Sequence, residues 1–146
     1  AQSPEPDAGA FAELCSEFWY HTVWTAKHLR RGELWWAKSC CDGMLKEHLR
    51  QLLEWEAATA GRDPWFRGRF FEEWADPGVL VGLRTAFARY DEAEVWAALA
   101  TTMDLFGEVG PRTAERLGFE YDRAAEAEAR ILVAGLRPSA GERGTV

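Results

Sequence analysis

Glu17, His21, Trp24, His28 and Arg31 recur at three- and four-residue steps, with Tyr20 and Lys27 flanking them and Trp19 adjoining. That spacing puts them along one side of a helix, across from Phe11, Leu14, Phe18 and Leu29. A solvated face has little use for Trp19, Tyr20 and Trp24 interleaved with charge. Aromatic faces beside carboxylates and cations make a wall for a polar, cationic or aromatic ligand. The stripe serves equally well as a surface for a protein partner. Further on, Trp35, Lys38 and Asp42 share a face. As a plain surface feature, Lys38 and Asp42 would be an i,i+4 ion pair worth about 0.3–0.5 kcal/mol. Asp104 has Glu108 one turn beyond it, beside the small side chains of Ala97, Ala100 and Thr101. Two like charges at that spacing call for a cation. A cationic ligand would supply it; an Arg or Lys from a neighbouring helix is the commoner solution.

Several other chemistries are excluded. Neither G-x-x-x-x-G-K nor G-x-G-x-x-G occurs, and there is no H-E-x-x-H. Cys41 and His48 are seven apart, but two ligands do not close a tetrahedral metal site, and both fall on an apolar stripe. The same context argues against a reactive thiolate. Three cysteines, two of them adjacent (Cys40, Cys41), form no disulfide framework and point to a reducing, cytoplasmic setting. No metal site is expected, and no catalytic residue stands out.

The elements that must position these groups read as helices throughout. The 146 residues allow one domain with one core. A net charge of −7 argues against a general nucleic-acid binder. The 47% hydrophobic content argues against disorder. No apolar run approaches the roughly 18 residues of a membrane span. Eight tryptophans suit a core and a ligand wall alike.

Residues 1–10 read as a polar tail without the order of a signal peptide. A first helix is expected over Phe11–Arg31, closed by Gly32. A second runs from Glu33 to about Ala60, with Leu34, Ala37, Cys41, Met44, His48 and Leu52 inward. Phe70–Trp74 is a short helix, and Val79–Tyr90 a third long one. A fourth starts after Asp91 with Val95, Leu99, Met103, Phe106 and Val109 inward, and Gly110-Pro111 should kink or interrupt it. The last spans Asp122–Leu136, and 137–146 read as a flexible tail. With no β-alternating run long enough for a sheet, the expectation is all-α, a single bundle of about five helices over 11–136.

Cys15-Ser16-Glu17-Phe18-Trp19, then Ala26-Lys27-His28-Leu29-Arg30-Arg31-Gly32-Glu33-Leu34, then Ala37-Lys38 and Asp42, resemble the helical domain of the streptomycin (aminoglycoside 6-) adenylyltransferases. That family carries N-E-F-W-W…K-G-L-x-R-x-E-L…A-K…D. Collinear similarities follow at Leu52-Leu53-Glu54-Trp55, Tyr90, Val95-Trp96-Ala97-Ala98-Leu99, Met103-Asp104-Leu105-Phe106 and Ala114 to Tyr121. The resemblance covers roughly Phe11 to Tyr121. It implies a two-part enzyme: a nucleotidyltransferase domain holding ATP and Mg²⁺ on a Gly-Ser turn and paired acids, closed by a helical domain at the antibiotic site. A drug hydroxyl attacks the α-phosphate of ATP, giving an adenylylated drug and pyrophosphate.

These 146 residues contain no Gly-Ser dipeptide and no strand-borne paired acids. The expectation is therefore the C-terminal half, not catalytic alone, with no cofactor of its own; ATP and Mg²⁺ are implied only with a nucleotidyltransferase domain attached. The partner expected is a cationic, aminoglycoside-like small molecule, with a nucleotidyltransferase domain or a second copy as alternatives. Under the resemblance, drug contacts are Glu17, Trp19, Tyr20, Trp24, Trp35, Asp42 and Asp104, and Lys27, Arg30 and Lys38 are candidates for phosphate contact. Tyr20 and Ser16 replace a Trp and an Asn of the family motif. A toxin–antitoxin ribonuclease reading fails, because none of His21, His28 and His48 follows an Arg by four to six residues.

Overall fold

Asp7 opens the first helix: its Oδ1 accepts from the Ala10 amide at 2.7 Å, satisfying one of the free donors at the helix start. In the computed structural model, which describes residues 5–139, helix α1 spans Ala8–Arg30. It begins three residues before the apolar pattern does. The rest of the tails, 1–4 and 140–146, lies outside the described residues. At Gly32, φ of +81° lets the chain turn back on itself, with Gly32 and Glu33 amides donating to the Leu29 and His28 carbonyls.

Helix α2 (Leu34–Ser39) runs through a π turn (Cys40–Met44) into α3 (Leu45–Thr59). The apolar spacing predicts one regular helix here with Met44 and His48 inward. Instead the buried row is Ala37, Cys41, Leu45, Leu49 and Leu52, while Met44 is exposed. A π turn adds one residue to a helical turn, so the inward positions after Cys41 move on from Met44 to Leu45 and from His48 to Leu49, and Leu52 is joined by Leu53. A loop then leads to α4 (Phe71–Trp74), α5 (Pro77–Leu83, capped by Asp76), α6 (Glu92–Leu117, capped by Asp91) and α7 (Arg123–Leu136, capped by Asp122). Helix α5 ends well short of the expected Tyr90.

Pro111 neither interrupts α6 nor ends it. The helix continues to Leu117 and stops at Gly118, whose φ is +75°. Pro111 cannot donate to the Gly107 carbonyl, but Val109, Gly110, Thr113 and Ala114 around it are all buried. Packing on both sides of the proline outweighs one lost bond.

The described residues are all-α, with five helices of seven or more residues. Helix α6 packs along α3 and against α1, and α7 lies along the other side of α1. The core centres on Phe18 and Phe106, both fully buried, their rings stacked at 3.8 Å and within 7° of parallel. Trp55, Trp74 and Trp96 are buried, as their helical context led us to expect.

A charged cluster ties the long helices to the loop. Glu56 on α3 is only 2% exposed, yet it meets three cations. Arg62 Nη2 reaches both its oxygens at 2.7 and 2.5 Å, Arg116 Nη1 lies at 3.3 Å, and Arg112 Nη2 at 3.7 Å. Arg112 also contacts Asp76 at 3.4 Å, and Arg62 donates to the Trp74 carbonyl at 2.5 Å.

Candidate functional site

Asp42 sits within the π turn, where helical irregularities often mark functional positions. One of its oxygens accepts from Lys38, whose Nζ also donates to the Ala88 carbonyl at 2.6 Å. The other oxygen, Oδ1, is buried and has no hydrogen-bond partner. A carboxylate oxygen withdrawn from water without a donor is costly, so it is poised to accept one.

Two hollows meet at Asp42. One, of about 330 Å³, has Lys46, Glu47, Phe71, Glu72 and Phe87 in its walls and Leu49 and Leu53 on its floor. The other is bounded by Trp35, Lys38, Ser39 and Tyr90. The Trp35 and Tyr90 rings are 6.4 Å apart, and they are 74% and 61% exposed. These are large apolar groups with one face free for a ligand.

Lys46 is held by its surroundings. Its Nζ donates to the Cys41 carbonyl at 2.9 Å and to Thr102 Oγ1 at 2.8 Å, and it lies 4.7 Å from the centre of the Phe87 ring. Burial pushes its pKa below the ordinary lysine value. With Lys38 and Lys46 four residues either side of Asp42, the π turn carries a carboxylate between two fixed cations. The cleft's further carboxylates are Glu47, held by Arg50 at 2.7 Å, and Glu72, so its three carboxylates balance its three cations. The unpartnered Asp42 oxygen and the open faces of Trp35 and Tyr90 suit a ligand that is cationic and partly flat.

The expected site residues do not all gather here. Trp35, Lys38 and Asp42 do. Tyr20, Trp24 and Lys27 line a separate groove between α1 and α7. Trp19 is corrected: it is 3% exposed, set edge-on to Phe18 and Phe106, with its Nε1 donating to Tyr121 at 2.9 Å. Only part of its surface borders that groove. The buried arc of α1 is wider than its apolar stripe because α6 and α7 both pack on it.

Asp104 meets Arg130 of α7 at 2.8 Å, and Arg130 in turn holds Glu126, which accepts from Tyr121 at 2.7 Å. Its cation comes from a neighbouring helix. Arg30 lies with Nη1 3.4 Å from the Leu136 carbonyl. The Trp24 ring lies 3.8 Å from that of His28, away from the Asp42 cleft. Glu47, Lys46, Phe71, Glu72, Phe87 and Tyr90 were missed. Only Tyr90, through the family resemblance, and Lys46, through its i+4 spacing from Asp42, carried any sequence signal.

Glu17 approaches His21 at 3.7 Å, and the His21 ring lies 5.9 Å from that of His48. Burial, and then the neighbouring His21, depress the His48 pKa below its ordinary 6.5, against the opposing pull of Glu17 and Glu47. The unfolded chain therefore binds the proton more readily than the folded one. This contribution to stability is complete above pH 6.5 and is lost as pH falls below it. Thermal melts between about pH 7.5 and 5.5 should show falling stability, and His48→Gln should flatten that trend. An unchanged slope in the variant would remove His48 as its source.

Residues 2–133 match the family described as streptomycin adenylyltransferase. The chain belongs to that family. Among its relatives, this streptomycin adenylyltransferase family member is 24% identical over 125 residues to an aminoglycoside 6-adenylyltransferase of Bacillus subtilis (strain 168). It is 22% identical over 120 residues to one of Campylobacter jejuni. Each alignment takes in 80% of this chain and 42% of the relative, so the chain spans less than half the length of these curated relatives. Its fold superposes on the crystal structure of an aminoglycoside 6-adenyltransferase from Bacillus subtilis with a TM-score of 0.82 at 21% identity. That superposition covers 92% of this chain and 52% of the solved one. Among the described residues of this family member, no helix is long and apolar enough to cross a membrane.

Proposed function

We propose that this chain is the substrate-binding helical part of a streptomycin adenylyltransferase-type enzyme, taking a cationic aminoglycoside-like molecule in the cleft around Asp42. The observation that carries the reading is the unpartnered, buried Oδ1 of Asp42, set between the exposed Trp35–Tyr90 pair and the Phe71–Phe87 wall. Streptomycin presents guanidinium groups, which are planar donors that pair with carboxylates and lie flat on aromatic rings. Asp42 accepts from one such group, Trp35 or Tyr90 covers its face, and Glu72 attracts the remaining charge. Lys38 holds the second Asp42 oxygen and fixes the carboxylate's orientation.

The chemistry would come from elsewhere. A nucleotidyltransferase domain, attached or separate, would bring ATP and Mg²⁺. Among the described residues no group of three or more His, Cys, Asp or Glu side chains is placed to hold a metal ion, so the donor set here does not fit one. Arg30, on α1 away from the cleft, is the cation we would assign to nucleotide phosphates presented by that domain.

Calorimetric titration with streptomycin tests the reading. Saturable binding is expected, weakened about tenfold or more by Asp42→Asn, which keeps the shape and removes the charge that strengthens the hydrogen bond. No heat up to millimolar drug, or equal affinity in the variant, would sink it. The same 146 residues, given ATP, Mg²⁺ and streptomycin, should release no pyrophosphate; turnover would overturn the assignment of chemistry to another domain.

A further inference from the structure

The second large surface feature has no part in the Asp42 cleft. Helices α1 and α7 run side by side in the same direction, with Cys15 and Ser16 beside Asp122 and Ala125 at one end and Arg30 beside Leu136 at the other. Between them lies a groove of about 350 Å³. Its walls are Ser16, Tyr20, Val23 and Lys27 on α1, and Ala125, Ala129 and Leu132 on α7, both at helical repeats. The groove is therefore about three turns long, the footprint of a helix laid into it.

Its character is apolar with charged margins. Tyr20 and Leu132 are exposed large side chains, and Ile131 beside them is 72% exposed. Trp24 closes the α1 side, half-buried. Two charges stand on the lining, Lys27 on α1 and Glu128 on α7, both exposed and neither in an ion pair among the described residues. Nearby cations on α1 and α7 are matched: Arg130 is paired to Asp104 and Glu126, and Arg31 to Glu33. Two opposite, unmatched charges on one apolar groove are the arrangement a self-complementary contact requires.

We propose that the α1–α7 groove is the contact face of a two-fold dimer of this chain. An axis crossing the groove between Lys27 and Glu128 lays α7 of each copy against the groove of the other. Lys27 of one protomer then faces Glu128 of its partner, twice, as the symmetry demands. Tyr20, Trp24, Ile131 and Leu132 are withdrawn from water at the centre, with the two ion pairs at the rim. The Asp42 cleft shares no residue with this groove and stays open in both copies, so ligand binding and assembly fail or succeed independently.

Sedimentation of the purified chain at micromolar concentrations tests this through charge reversal. The wild type should sediment at twice its 16.5 kDa mass. Lys27→Glu places two carboxylates opposite each other across each contact, and Glu128→Lys places two amines. Each variant alone should dimerise about tenfold more weakly. Mixed in equal amounts, the two should form a mixed dimer. One of its two contacts then sets the introduced carboxylate against the introduced amine, and the other keeps the native Lys27–Glu128 pair, so the mixture should dimerise at wild-type strength. The double variant, Lys27→Glu with Glu128→Lys, likewise rebuilds an opposite-charge pair at each contact and should regain a dimer of wild-type strength. All these substitutions are on exposed sites, and circular dichroism confirms that each variant folds. A wild type that remains monomeric to about 100 μM, or a dimer indifferent to both single reversals, overturns the proposal.

Discussion

Replacing Glu56 by alanine should lower the free energy of unfolding by about 3–5 kcal/mol, the range found when one partner is removed from a buried ion pair. The physical reason is what remains. Arg62, Arg112 and Arg116 converge on the two Glu56 oxygens from the loop and from α6. Without the carboxylate, three guanidinium groups face one another in a partly dry setting with only the Trp74 carbonyl and Asp76 to receive them. Glu56→Gln retains acceptor geometry but not charge, and should fall between wild type and alanine. Urea denaturation measures both. A loss below about 1 kcal/mol for the alanine variant would mean that the arginines reach water and that the cluster is peripheral.

Phe106→Ala should cost a similar 3–5 kcal/mol, from the other end of the molecule's chemistry. Phe106 is fully buried, stacked on Phe18 and edge-on to Trp19, whose ring centre is 5.8 Å away. The helices cannot close over the space, because Trp19 is pinned by its hydrogen bond to Tyr121, and Tyr121 by Glu126. The wall is tight on the Tyr121 side as well, since a Cβ at Gly110 would stand 2.6 Å from that ring. Each kcal/mol lowers the melting temperature by roughly 3 °C in a chain of this size, so the midpoint should drop by roughly 10 °C. Phe106→Leu, which refills most of the volume, should recover more than half of that. Equal losses for the two would show that volume is not the reason.

Helices α1, α6 and α7 were legible in the sequence because their signals are local: a cap residue, a repeating apolar row and a closing glycine. The π turn was not. Cys40 to Met44 have no residue type that demands it, and the apolar row of α3 can be drawn through Met44 and His48 as easily as through Leu45 and Leu49. Only the fit of α3 against α6 decides between them. Pro111 misled for the same reason, since its local cost is outweighed by buried neighbours that a sequence does not show.

The candidate site divides along that line. Trp35, Lys38 and Asp42 were found because they share a helix face. Phe71, Glu72 and Phe87 come from separate segments and reach the cleft only through tertiary packing. Trp19 falls on the other side of a boundary from where its neighbours suggest: residues between an apolar stripe and a charged one are assigned by what packs there, and α7 packs there.

The fold also sorts the indoles optically. Trp19, Trp55, Trp74 and Trp96 are buried, whereas Trp35, Trp36 and Trp65 are exposed. Indole emits at longer wavelength in water than in an apolar interior, so the native protein carries a blue emission from its core and a red one from its surface. Iodide, which stays in solvent, reaches only the second. A molecule covering Trp35 would shield part of the red emission from iodide and leave the blue untouched, whereas unfolding would convert the blue to red. One spectrum can therefore tell occupancy of the cleft from loss of the core.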